Sequence, residues 1–203
     1  MVRVAGQVSR RLRIRSQVRV DREARRDGIL DDCGPASAAC AASWVTGREI
    51  SAKEGIVAKA AATGRDDIQG VSDNGSSLSE LAKTVKVLGA SARYPDSWDD
   101  AVGAARKGAA LIINVSNGRE PYYAGVKMSR WHRQLVKRNP AANGYGHMTA
   151  AAWDEDLGWL WACPTMSGEG DEEYGVPVSE AQLRQIASSK GDAPKGRILI
   201  VKK

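Results

Sequence analysis

The two halves of this chain carry hydrophobic patterns of different period, and that asymmetry limits the fold more than any single motif. In the first half the apolar positions recur at helical spacing, as in Leu78, Leu81, Ala82, Val85 and Leu88. A helix is expected from Cys33 to about Thr46-Gly47. A second is expected over Ser51–Ala62, with Ser51 and Glu54 at capping-box spacing. A third opens at Ser77 and closes at Gly89, and a fourth runs from Ser97 to about Lys107-Gly108. Asp66–Ser76 reads as a loop, and Ala90–Tyr94 as a short strand.

In the second half the signal changes to strands. Ala109–Val115 is an apolar run broken only by Asn114. His147–Trp153 and Gly158–Ala162 read as two strands joined by the acidic turn Asp154-Glu155-Asp156-Leu157. Ser179–Ser188 reads as a surface helix and Arg197–Val201 as a last strand. Residues 118–145 read as an irregular excursion, a length of loop that is often functional. Helices first and strands last give an α+β fold class with a mainly antiparallel sheet.

Charge divides the chain differently. Nine arginines fall in residues 1–26, of a formal net charge of +6 over 203 residues. Leu12-Arg13-Ile14-Arg15 alternates apolar and basic residues, the period of a half-buried strand. We therefore divide the chain into a basic arm or strand, 1–26, and a single domain, 27–203. A solvated strand face accounts for such an arm, and docking onto an acidic partner is its functional alternative. Nucleic acid is set aside, because no binding motif and no interleaved aromatic residues accompany the charge. No apolar run reaches the roughly 18 residues of a membrane span. The first residues lack the apolar core of a signal peptide, so synthesis in the cytoplasm without classical secretion is the expectation.

Three cysteines, Cys33, Cys40 and Cys163, form an odd set without metal-ligand spacing. No disulfide framework, metal or cofactor is expected from them. Cys40 lies among alanines on the first helix and reads as core. Cys33 is different. Asp31-Asp32-Cys33-Gly34-Pro35-Ala36 places it where a polar turn becomes an apolar helix. The helix dipole and the unpaired N–H groups of a first turn favour thiolate, the nucleophilic form. Free cysteine is by default a small buried hydrophobe, so the reading needs a partner. The chain has two histidines. His147 follows Gly146 at the start of an expected strand and is the candidate base. His132 lies in the basic excursion and reads as a surface residue. Trp159 and Trp161 have strand period and read as packing. Tyr122, Tyr123, Trp131 and Tyr145 precede His147 and could wall a cleft; Trp131 and Tyr145 are the substrate-cleft candidates.

Asp32-Cys33-Gly34-Pro35-Ala36 on a helix, then Gly146-His147 opening an apolar strand, a hairpin and a residue before proline, resembles the C39-like branch of papain-like cysteine peptidases. The likeness runs from about residue 27 to about residue 165, and Asn74-Gly75-Ser76-Ser77-Leu78 is similar to the middle of such domains. It implies a papain-like fold in which the nucleophile-bearing helix packs on the sheet. It implies Cys33 and His147 as the catalytic pair of a peptidase. It also implies a place in the family of bacteriocin-processing peptidases and of the peptidase domains of phage endolysins and tail proteins, with peptides, among them those of peptidoglycan, as substrates. In that family an Asp or Asn before a proline orients the histidine, and a Gln six residues before the cysteine serves the oxyanion. Here those positions hold Cys163 and Asp27. Asp154 and Asp156 are alternative orienting groups for His147, and Gln17 is an alternative oxyanion donor. The departures support a second reading: a catalytically impaired domain acting as a structural component of a phage tail or similar assembly, docked through its basic arm.

Overall fold

A computed structural model describes residues 12–13, 32–65, 75–116, 122–123, 126–127, 146–164, 174–188 and 196–203. Its first helix, α1 (Cys33–Thr46), is apolar on nearly every side and is buried along nearly its whole length. Alanine at 36, 38, 39, 41 and 42 keeps the helix thin, so that strands and other helices approach its backbone closely. It ends at Gly47, whose left-handed φ of 71° turns the chain while its N–H bonds Ser43. Helices α2 (Ala52–Thr63) and α3 (Leu78–Val87) pack on α1. Both open with the reciprocal capping box expected of Ser51/Glu54 and Ser77/Glu80. After β1 (Ser91–Arg93), Ser97 caps α4 (Trp98–Ala105).

The remaining elements are β2 (Ala110–Ser116), β3 (Tyr122–Tyr123), β4 (Val126–Lys127), β5 (Gly146–Asp154), β6 (Gly158–Ala162), β7 (Val176–Val178), α5 (Glu180–Ala187) and β8 (Ile198–Lys202). Six of these strands form one antiparallel sheet in the order β1-β8-β2-β5-β6-β7. Consecutive residues of β2 and β8 are buried, so both faces of the sheet centre are covered. Helix α1 lies across β2, β5 and β8. Helix α4 lies on β2 and β8, and α5 on β2 and β6. On the α4–α5 face Trp153 meets Trp159 edge-on at 5.6 Å. Arg106 stacks over Trp153 and pairs with Glu180. The fold is α+β as expected, with element ends within one or two residues of the predicted ones. Trp159 and Trp161 are packing residues, both almost completely buried. Among the described residues no helix is long and apolar enough to cross a membrane.

Two parts of the architecture differ from expectation. The excursion over 118–145 contains a small hairpin, β3–β4. A three-residue strand, β7, pairs with β6 in a segment that carries no strand signal, because Val-Pro-Val is too short and holds a proline. Of the basic arm, only Leu12 and Arg13 are among the described residues. Leu12 is 1% exposed, its carbonyl accepts the Gly175 N–H at 2.7 Å, and Arg13 bridges Tyr174 in an antiparallel pairing. The Arg13 carbonyl accepts the Cys40 thiol at 3.1 Å, and its guanidinium pairs with Glu49. At this point the arm is an integral part of the body.

Helix α2 meets α1 at Gly55, where an added Cβ would be driven into the Pro35 carbonyl oxygen. Helix propensity alone favours alanine over glycine by about 1 kcal/mol. Gly55→Ala is expected to reverse that sign and to lower stability by about 1–3 kcal/mol, as overpacking does. A urea unfolding curve measures it, and a stabilised variant would show that the two helices do not meet as closely as described.

Candidate active site

Strand β5 is longer than β6, and the difference makes the site. On one side β5 pairs with β2 along its whole length up to Gly146, opposite Ser116. On the other side its pairing with β6 begins only at Ala150, opposite Ala162. Beyond Ala162 come Cys163 and Pro164, and a proline cannot donate to the ladder. Residues 146–149 therefore present one edge without a β6 partner. Side chains from two other places fill it.

The first comes from α1. Cys33 is the first residue of the helix, with Asp32 as N-cap. Its Sγ accepts the backbone N–H of Met148 at 3.5 Å. A backbone donor on the sulfur and the first-turn position both favour the thiolate. The Asp32 side chain makes no capping bond, so it does not occupy the N–H groups of the first turn. The second side chain is that of Cys163, whose Sγ lies 3.2 Å from Nε2 of His147. The three residues are shielded from water: Cys33 is 8% exposed, His147 3% and Cys163 0%.

The start of α1 is held from two sides. Gly34 lies so close to Ser76 that a Cβ would be driven into Oγ of that serine. The residue before Ser76 is anchored by Lys59, which is 1% exposed and donates from Nζ to the Gly75 carbonyl at 2.5 Å. The expectation that Gly34 allows close approach is met, and Ser76 is the group that approaches. Lys59, Gly55 and the Met148 N–H had no place in the sequence reading. For Lys59 a signal existed: it lies one turn from Gly55 and Ile56, on the face of α2 that also carries Ala60.

Of the residues expected at the site, the structure brings together Cys33, His147 and Cys163. Asp154 is elsewhere and does not orient His147. It ends the strand that His147 begins, seven residues on, about 23 Å along an extended chain. Its Oδ1 accepts the N–H groups of Asp156 and Leu157 at 3.0 Å each and so shapes the β5–β6 turn. Asp156 is exposed in that same turn. Cys40 is a buried packing residue. Asp27, Gln17, Trp131, His132 and Tyr145 lie outside the described residues. Among the described residues no group of three His, Cys, Asp or Glu side chains could hold a metal ion.

A thiol on a helix start, an imidazole one residue from the group that donates to its sulfur, and a second thiol on that imidazole can together support attack on an acyl carbon. The placement of Asp154 is testable. Asp154→Ala is expected to cost about 1 kcal/mol of stability, for a lost turn acceptor, while leaving the rate of Cys33 alkylation unchanged. A slowed alkylation would return Asp154 to the site. No protein-family model matches this chain, and no curated protein sequence matches it.

Proposed function

We propose that this protein is a cysteine peptidase of the papain-like, C39-like kind, acting on peptide bonds, with peptidoglycan peptides as the substrate class and a phage-type assembly as the setting. The observation that carries the reading is the placement of the Cys33 sulfur on the Met148 N–H, next to a His147 that is itself held by a further side chain. The remainder of the reading rests on the resemblance of the Asp-Cys-Gly-Pro and Gly-His segments.

In this mechanism His147 takes the proton of Cys33. The thiolate attacks the carbonyl carbon and a carbon–sulfur bond forms. The negative charge on the oxygen is met by the N–H groups at the start of α1, that of Cys33 first. His147 gives its proton to the leaving amine as the carbon–nitrogen bond breaks. Water then loses a proton to His147, attacks the thioester and releases the acid as the carbon–sulfur bond breaks. The two missing family groups bear on rate: one positioned oxyanion donor is worth roughly 10²–10³.

Alkylation with iodoacetamide near neutral pH tests the pair. Cys33 is expected to react at least tenfold faster than Cys163, and His147→Ala to slow Cys33 by about 10²-fold, the lower end for a general base. Incubation with purified cell walls then tests the substrate class. New amino termini should appear with the native chain and not with Cys33→Ala. If Cys33 reacts no faster than Cys163, the enzyme reading is lost. The structural reading, with the arm as the working part, then takes its place.

A further inference from the structure

The contact between Cys163 and His147 contains a proton whose position decides what His147 can do. Nε2 of the ring is taken up by Cys163 at 3.2 Å. In the reading in which His147 serves Cys33, it does so through Nδ1. For Nδ1 to accept a proton it must be bare, so the proton of the neutral imidazole must sit on Nε2. An Asn or Asp partner enforces that arrangement, since its oxygen accepts from Nε2–H. A neutral thiol does the opposite. Sulfur is a weak acceptor and the thiol brings its own proton, while an imidazole nitrogen lone pair is a good acceptor. With Cys163 at 0% and His147 at 3% exposure, burial favours the neutral pair over a separated charge.

We propose that Cys163 is a tautomer lock: its S–H donates to Nε2, holds the proton of His147 on Nδ1, and so restrains the ring from taking the proton of Cys33. This rests on the reading of Cys33 and His147 as a working pair, and it gives that site a built-in restraint. Cys163 is in this sense a positioning residue that acts through His147. Exchange of the thiol for an acceptor releases the ring.

The ¹⁵N shifts of histidine report the tautomer directly. The full chain has two histidines, and His132→Gln assigns the second set of signals. In the native protein His147 is expected as the Nδ1–H tautomer, with a bare Nε2. Cys163→Asn is expected to move the proton to Nε2 and to raise the rate of Cys33 alkylation by iodoacetamide about tenfold or more. A native His147 that carries its proton on Nε2, or on both nitrogens, overturns the lock without any variant having to fold. A folded Cys163→Asn protein whose Cys33 reacts no faster than the native one also overturns it. The two proposals fail separately: an unchanged Cys33 rate in His147→Ala refutes the catalytic pair, whereas the tautomer of His147 is read without reference to Cys33.

Discussion

Where β6 stops determines what the rest of the molecule can offer. A strand with ladder partners on both sides has its backbone groups consumed, and nothing can be delivered to its edge. Because Pro164 follows Cys163, the β6 ladder ends at Ala162 and β5 runs four residues further, with β2 as its only sheet neighbour among the described residues. The Met148 N–H donates to a sulfur on α1 in place of a β6 carbonyl. Continued past Ala162, the same register sets Cys163 opposite Thr149, two residues along the strand from His147, whose Nε2 the Cys163 sulfur reaches. Two contacts that come from opposite ends of the sequence thus depend on one interruption of pairing.

Helix α1 makes the other half of the arrangement, and its small side chains explain why. With alanine at five of its buried positions, the helix gives up bulky packing for short distances to the sheet and to α2 and α3. Close approach needs exact lateral placement, and Gly34 against Ser76 and Gly55 against Pro35 supply it. Neither neighbour tolerates a methyl group at the glycine. Lys59 extends the same restraint to the loop: a buried ammonium without a hydrogen bond would be costly, and the Gly75 carbonyl provides one. The first turn of α1 is thereby fixed by steric contact and by one charged hydrogen bond, not by a cap from Asp32.

The elements of this fold were legible wherever local signals and tertiary demand agree. Ser51/Glu54, Ser77/Glu80 and the apolar run at 110–115 place their elements correctly because capping and burial need no knowledge of the rest of the chain. Strand β7 was not legible, since three residues around a proline become a strand only when β6 lies beside them. At the site, residue types announce Cys33 and His147, and the residue before Pro164 was singled out for its position. Gly55 is illegible because it matters through Pro35, 20 residues away, and the spacing that sets Lys59 one turn from Gly55 and Ile56 does not name the Gly75 carbonyl it bonds. Asp154 shows the converse error: a carboxylate near His147 in the sequence is at the far end of its strand, because an extended chain travels more than 3 Å per residue.

The ends of the sheet set how this molecule meets its own kind. An open sheet invites a second copy to continue it, and a long outer strand is the usual entry point. Here the order β1-β8-β2-β5-β6-β7 places the two shortest strands of the sheet at its borders, three residues each. One border carries Pro177 at its centre and is followed on the chain by a helix; the other ends in Arg93, clamped on Asp100. Among the described residues neither border offers a long continuous row of donors and acceptors. The strongly apolar strands that build the interior thus lie away from both borders, the places where edge-to-edge pairing begins.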